Sequence, residues 1–152
     1  VAQMKVYADT GRAFWSLRWT APRFAGTAVL SGLAVAWALR PGWDTGALLG
    51  FATALKLAAE IAVLKHGDSD ADLWTQLRRT AVLQRGPLRP LLCLRLLLGV
   101  IGGLLLPYGV GAGAIPAGFA LAAFPILLSG EIAERLLYFT SVSPDKMPGL
   151  PG

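Results

Sequence analysis

The sequence predicts an all-α, polytopic membrane protein that folds as a four-transmembrane-helix bundle. Hydrophobic residues make up 55% of the 152 residues and charged residues only 15%. The mean hydropathy of +0.56 is high for a water-soluble domain. Four long apolar runs are separated by polar or glycine- and proline-rich segments. Most lysines and arginines lie in those connecting segments, as is typical of membrane proteins.

The apolar runs define the spans of a single membrane domain, residues 1–152. A helix needs roughly 20 residues to cross a hydrocarbon layer of ~30 Å. The first run is short for this thickness, but Arg23 and Arg40 at its two ends can extend their charged groups to the membrane surface. The predicted segments are spans at 22–39, 45–64, 91–108 and 114–139, a polar amphipathic loop at 65–90, and a polar tail at 141–152.

Small residues are regularly spaced in three of these runs, a pattern that allows helices to approach each other closely. They are Ala28, Gly32 and Ala36 in the first run, Gly46, Gly50, Ala54 and Ala58 in the second, and Gly99 and Gly103 in the third. These faces would let neighbouring helices approach closely.

The distribution of basic residues predicts the topology. With four spans, residues 1–23, the loop and the tail lie on one side of the membrane, and that side holds ten of the 14 lysines and arginines. The opposite side holds only Arg40. Because basic loops stay inside the cell, we expect the basic side to be cytoplasmic. The same distribution argues against nucleic-acid binding despite the pI near 9.9, since the cations do not form one continuous basic face.

Cofactor and catalytic motifs are not evident in the sequence. Cys93 is the only cysteine, which excludes an intrachain disulfide and a CxxC metal site. His66 is the only histidine, which excludes a bis-histidine haem within this segment. The aspartates of residues 68–72 lack the glutamate that a calcium loop requires. We also find no nucleophile elbow, phosphate loop or acid–base pair beside a nucleophile, so we predict no catalytic, cofactor-binding or metal-binding residue.

Six charged residues lie inside the apolar runs, where an unpaired charge costs at least ~2.5–3.5 kcal/mol. They are Lys56, Glu60, Arg95, Glu131, Glu134 and Arg135. Because three are cations and three are anions, we predict an intramembrane ion-pair network in which Arg95 pairs with Glu131 across helices. Such charges either fix helix register and orientation or mark a path for protons or ions. The equal numbers favour the structural role.

Motifs along the chain carry a family resemblance. The N-terminal motifs are Met4-Lys5-Val6-Tyr7, Asp9-Thr10-Gly11-Arg12-Ala13-Phe14-Trp15, Thr20 and Phe24-Ala25-Gly26-Thr27. The later motifs are Leu94-Arg95-Leu96-Leu97, Leu128-Ser129-Gly130-Glu131 and Glu134-Arg135-Leu136-Leu137-Tyr138-Phe139. In this order the motifs resemble the membrane anchor subunit of dimethyl sulfoxide reductase-type molybdoenzymes, within the polysulfide reductase-like family of integral membrane subunits.

The resemblance implies the later half of an eight-helix subunit in the bacterial or archaeal cytoplasmic (inner) membrane. Since residue 1 is Val1, we expect the chain to be a piece of a longer protein. Such subunits contact membrane lipid and hold a molybdopterin catalytic subunit and an iron–sulfur subunit at the membrane. They pass electrons between the quinone pool and the iron–sulfur clusters, without haem. The quinone site of the family lies in the earlier helices, so no quinone ligand is assigned here.

Two other functions are compatible with the sequence. The chain could be half of a secondary transporter, whose charged stripe would bind an ion or a proton. It could also be a purely structural subunit that assists assembly. Neither alternative makes the chain a stand-alone enzyme. The substrate of the complex would be decided by its catalytic subunit.

Overall fold

The computed structural model describes residues 17–65 and 81–141 of the chain. These residues form helices and contain no β-strand, so the predicted all-α class is confirmed for them. The main helices are α1 (Leu17–Leu39), α2 (Trp43–Lys65), α3 (Arg89–Gly111) and α4 (Ala120–Thr140). The largest differences from the predicted spans are that α1 begins at Leu17 instead of residue 22 and α4 at Ala120 instead of residue 114. A short 3₁₀ turn, Ala117–Phe119, precedes α4.

Three of these helices, α2, α3 and α4, contain segments long and apolar enough to cross a membrane. The apolar part of α1, Arg23–Leu39, is shorter. The helices therefore indicate a membrane-associated, multi-pass protein. A crossing by α1, and with it a bundle of four spans, stays a prediction.

Helix α3 contains a π-helical turn that ends two residues before a proline. The turn spans Ile101–Leu105 and is followed by Pro107. Proline has no N–H to donate, and its ring clashes with the preceding turn of a regular α-helix. The wider π-helical turn accommodates this defect. As a result α3 continues beyond the predicted end at residue 108, and the turn to α4 is confined to residues 112–116, where Gly113 has a φ of +73°.

The four helices pack with α2 and α4 each against both α1 and α3. An apolar core fills the half of the bundle that contains the turns after α1 and α3. Its buried residues are Leu30, Ala34, Trp37, Leu49, Ala120, Ala123 and Leu127. The opposite half of the bundle buries charged side chains beside apolar ones such as Leu57 and Leu137.

The small-residue stripe of α1 does not lie in a helix contact. Ala28, Gly32 and Ala36 are exposed, and a methyl group at Gly32 would meet no atom within 4 Å. The close approach that this stripe permits is therefore not used between the described helices. The reason is that α2 and α4 pack against another face of α1, which carries Leu30 and Ala34.

The stripes of α2 and α3 are partly buried between helices. A methyl group at Gly50 would lie 3.5 Å from the carbonyl oxygen of Gly103, and one at Gly99 would lie 3.1 Å from Leu57. Ala54 and Ala58 continue the α2 stripe but are exposed. Only part of the second stripe therefore makes a close helix contact.

Several predicted features lie outside the described residues. These are the N-terminal motifs within residues 1–16, most of the loop, including His66, and the tail from residue 142 onwards. The end of the loop is described, and residues 81–85 are helical. There the buried Gln84 amide donates a hydrogen bond of 3.0 Å to the hydroxyl of Ser141. This contact ties the segment before α3 to the end of α4.

Candidate functional site

The charged side chains lie together in the half of the bundle where α1 and α3 begin and where α2 and α4 finish. We call this the basic end, because the basic loop also connects there. All six predicted residues are in this half, and Arg23 joins them. They lie about one to two and a half helical turns from the nearest helix terminus.

Four of these side chains form a closed ring of alternating charge. The Lys56 ammonium contacts the Glu131 carboxylate. Arg95 Nη2 donates 2.9 Å hydrogen bonds to Glu131 Oε1 and to Glu60 Oε1. Glu60 Oε1 lies 4.0 Å from Lys56 Nζ, which closes the ring. The ring joins α2, α3 and α4, carries no net charge, and includes the predicted contact between Arg95 and Glu131.

The ring is buried inside the protein rather than at its surface. Arg95 is 0% exposed, Glu131 3%, Lys56 6% and Glu60 8%. Transferring a charge from water into the protein costs free energy. Removing one partner of a buried pair leaves the other charge uncompensated. The arrangement therefore holds the three helices in one register, because each acid contacts two cations.

Thr27 connects α1 to this ring. Its hydroxyl oxygen accepts hydrogen bonds of 2.9 Å from Lys56 Nζ and from Arg135 Nη2. The same hydroxyl has two acceptors for its one proton, Glu131 Oε2 at 2.5 Å and the carbonyl oxygen of Arg23 at 2.8 Å. Thr27 thus uses both its donor and its acceptor capacity inside the cluster.

The remaining charged residues form a looser group on α1 and α4. Glu134 lies 3.7 Å from Arg23 Nη1 and 3.7 Å from Arg135 Nε, and neither of its oxygens has a hydrogen-bond partner among the described residues. The Arg135 guanidinium stacks over the ring of Phe24, 3.6 Å from its centroid. Arg23 lies 5.6 Å from the ring centroid of Tyr138. Both arginines thus also make a favourable cation–π contact with an aromatic ring.

Glycines create the space for the buried cations. Arg95 Nη1 would lie 3.2 Å from a β-carbon at Gly99 and 3.1 Å from one at Gly130, so the guanidinium lies between two side-chain-free positions. A β-carbon at Gly26 would lie 3.2 Å from Cδ of Lys56. The three glycines lie on α1, α3 and α4. They let these helices close around long side chains without raising the helix separation.

Arg23, at the end of an apolar run, does not extend to the membrane surface as the sequence would allow. Its side chain is buried, with 7% exposure, and contacts Glu134. The described cluster thus holds four cations and three acids instead of equal numbers. Thr27 was also missed as a member of the cluster. Arg23 and Thr27 are four residues apart, as are Glu131 and Arg135, and this shared helical spacing is the signal that could have suggested two facing polar stripes.

The described residues offer no evident metal centre. Within residues 17–65 and 81–141, no group of three or more His, Cys, Asp or Glu side chains could hold a metal ion. The acids of the ring instead contact lysine and arginine. The chemistry of the ring is therefore that of mutual charge neutralisation between helices.

A separate cleft lies between α2 and α3, at the end away from the charges. It has a volume of about 460 Å³, and its lining residues include Trp43, Gly50, Phe51, Leu105 and Tyr108. The rings of Trp43 and Tyr108 approach to 6.3 Å between centroids. The lining is almost wholly apolar, so the cleft fits hydrocarbon rather than a polar group.

Comparison with known protein families, curated proteins and solved structures finds no match to this chain. The geometry of the cluster and the sequence motifs are therefore the basis for a functional assignment.

Proposed function

We propose that the chain is part of the membrane anchor subunit of a molybdopterin and iron–sulfur oxidoreductase complex. In this role it holds the iron–sulfur and molybdopterin subunits at a bacterial or archaeal cytoplasmic membrane. The complete subunit passes electrons between the quinone pool and the iron–sulfur subunit. The described helices supply the rigid scaffold.

The closed ring of Lys56, Glu131, Arg95 and Glu60 carries the scaffold part of this proposal. An anchor must keep its docking surface in one geometry while large partner subunits are bound to it. The ring supports this role because it connects three helices through directional contacts, and Thr27 adds the fourth helix. In an apolar surrounding, sliding one helix past another would separate these charges at a cost of several kcal/mol.

The family resemblance supports the redox part of the proposal. Glu131 and Arg135, which match the end of the family pattern, both lie in the charged cluster. A packing role for them is consistent with a quinone site in the earlier helices of such a subunit. We accordingly assign no catalytic, quinone-binding or metal-binding role to a described residue.

The alternative function is half of a secondary ion- or proton-coupled transporter. The observation that favours it is the burial of three carboxylates in apolar helices, a common feature of ion paths. The ring argues against it, because Glu131 has a cation at each of its two carboxylate oxygens and Arg95 is fully buried. A transport site needs acids that can exchange their ion with water.

Purification of the full-length protein from its native membrane tests the proposal. We expect an iron–sulfur protein to copurify and the preparation to exchange electrons with a quinone. Proton-coupled uptake in liposomes without a redox partner would instead support the transporter. If quinone turnover persisted in a complex lacking these helices, their role would be limited to assembly.

A further inference from the structure

Of Lys56, Arg95 and Arg135, Arg135 is the cation whose charge is least compensated by carboxylates, since Lys56 and Arg95 each contact two acids. Its Nη2 donates to the neutral hydroxyl of Thr27, and its Nε lies 3.7 Å from Glu134, beyond hydrogen-bond distance. Its Nη1 has no hydrogen-bond partner among the described residues, although this atom is buried. The one carboxylate within 4 Å of Arg135 among the described residues is Glu134, which also faces Arg23. The positive charge of Arg135 is thus only weakly compensated.

Arg135 also lies at the open edge of the cluster. Its side chain is 24% exposed, whereas the side chain of Arg95 is completely buried. Phe24 covers one face of the guanidinium. An anion can therefore approach the exposed part of the Arg135 side chain, which excludes the buried Nη1, without disrupting the ring.

The surface around Arg135 identifies the kind of anion that reaches it. Ile132, Leu136 and Phe139 of the same helix are all about half exposed, which makes the outer face of α4 apolar. Arg135 lies five residues before the last residue of α4, at the basic end, so it is about 7 Å from that terminus along the axis. An anionic head group above an apolar surface is the chemistry of a phospholipid, whose chains would cover these three side chains.

We propose that Arg135 binds the phosphodiester of an anionic phospholipid at the basic end of α1 and α4. Arg135 offers a charged N–H donor of the kind that phosphate oxygens accept. The lipid chains lie along the outer face of α4. This site does not depend on a redox partner, so its test is independent of the proposed electron-transfer role.

Native mass spectrometry of the full chain released from nanodiscs tests this site. The nanodiscs contain phosphatidylcholine alone or mixed with phosphatidylglycerol, and the readout is the ratio of the two lipids retained. We expect the wild type to retain phosphatidylglycerol preferentially and Arg135→Gln to lower the preference about tenfold, the loss expected for one charge-assisted contact. Arg89→Gln is the matched control, because Arg89 is exposed at the same end of the bundle and its substitution removes the same charge. Its preference should stay at the wild-type value.

A second variant tests the site without removing the arginine. Phe139→Glu places a carboxylate one helical turn from Arg135, where it competes with the lipid phosphate. We expect it to lower phosphatidylglycerol retention, whereas Thr140→Glu adds the same charge on another face and leaves retention high. This comparison keeps the test decisive if Arg135→Gln does not fold.

Three results would overturn the lipid site. One is a wild type that retains both lipids equally, which would leave an acidic protein partner as the better explanation. Another is an equal loss in Arg89→Gln and Arg135→Gln, which would indicate general attraction to basic charge. The third concerns the thermal midpoint of the protein. If inorganic phosphate added to phosphatidylcholine nanodiscs raised it as much as phosphatidylglycerol does, free phosphate would be the ligand.

Discussion

Arg95 on α3 lies directly against Gly130 on α4, so closely that a β-carbon at position 130 would meet the guanidinium Nη1 at 3.1 Å. The next residue, Glu131, accepts a 2.9 Å hydrogen bond from Nη2 of the same guanidinium. Adjacent residues of α4 therefore provide both the space and the counter-charge for one buried arginine.

Gly130→Ala should destabilise the protein. The added methyl group would push α4 away from Arg95, and overpacking of this kind costs ~1–3 kcal/mol. Thermal unfolding of the purified protein in detergent measures the effect. Gly32→Ala is the control, since a methyl group there meets nothing within 4 Å and helix propensity favours alanine. Equal midpoints for the two variants would show that the space beside Arg95 is not tightly packed.

Glu131→Gln should lower the free energy of unfolding by ~3–5 kcal/mol, because it leaves two buried cations, Lys56 and Arg95, with an incomplete set of counter-charges. Denaturant titration in mixed micelles provides the measurement. Asp44→Asn removes an exposed carboxylate from the first turn of α2 and should cost far less. A wild-type stability for Glu131→Gln would contradict a supporting role for the ring.

Thr27→Val should cost ~1–3 kcal/mol, since it keeps the shape of the side chain but removes a hydroxyl that bonds Lys56, Arg135 and Glu131. Thr27→Ser restores the hydroxyl and should recover most of the loss. Thr140→Val is the matched control, because its exposed hydroxyl bonds only the carbonyl of Leu136. If serine failed to restore stability, the methyl group rather than the hydroxyl would be what matters.

The topology can be tested by cysteine labelling of cells in a Cys93→Ser background, since the chain has no other cysteine. Arg40→Cys, in the turn between α1 and α2, should react with a membrane-impermeant maleimide added outside. Arg89→Cys, at the start of α3, should react only after the membrane is opened. The reverse pattern would place the basic end outside the cytoplasm.

The charged contacts could be predicted from the sequence wherever burial alone forces the pairing. Arg95 and Glu131 lie within apolar runs, and the cost of an unpaired charge makes an opposite charge on another helix necessary. Lys56 and Glu60 share a helix face because they are four residues apart. The geometry of the pairing, in which Arg95 contacts two acids and Glu131 two cations, could not be predicted, since it depends on the register between helices.

Other features were not predictable because the same sequence segment is compatible with more than one packing arrangement. Arg23, at the edge of an apolar run, can reach the membrane surface or turn inward. Which of the two occurs depends on Glu134, on a helix that is distant in sequence. The stripe containing Gly32 permits a close helix contact without requiring one. The predicted third span ends at residue 108, but the π-helical turn before Pro107 allows α3 to continue to Gly111.

The most direct measurement is a double-mutant cycle on Arg95 and Glu131, with unfolding free energies for the wild type, Arg95→Met, Glu131→Gln and the double variant. If the two charges stabilise the bundle by contacting each other, the double variant should lose at least ~1 kcal/mol less than the two single losses together. Losses that add to within ~0.5 kcal/mol would mean that these residues act independently. That result would contradict the interpretation of the buried charges as the contacts that hold the helices together.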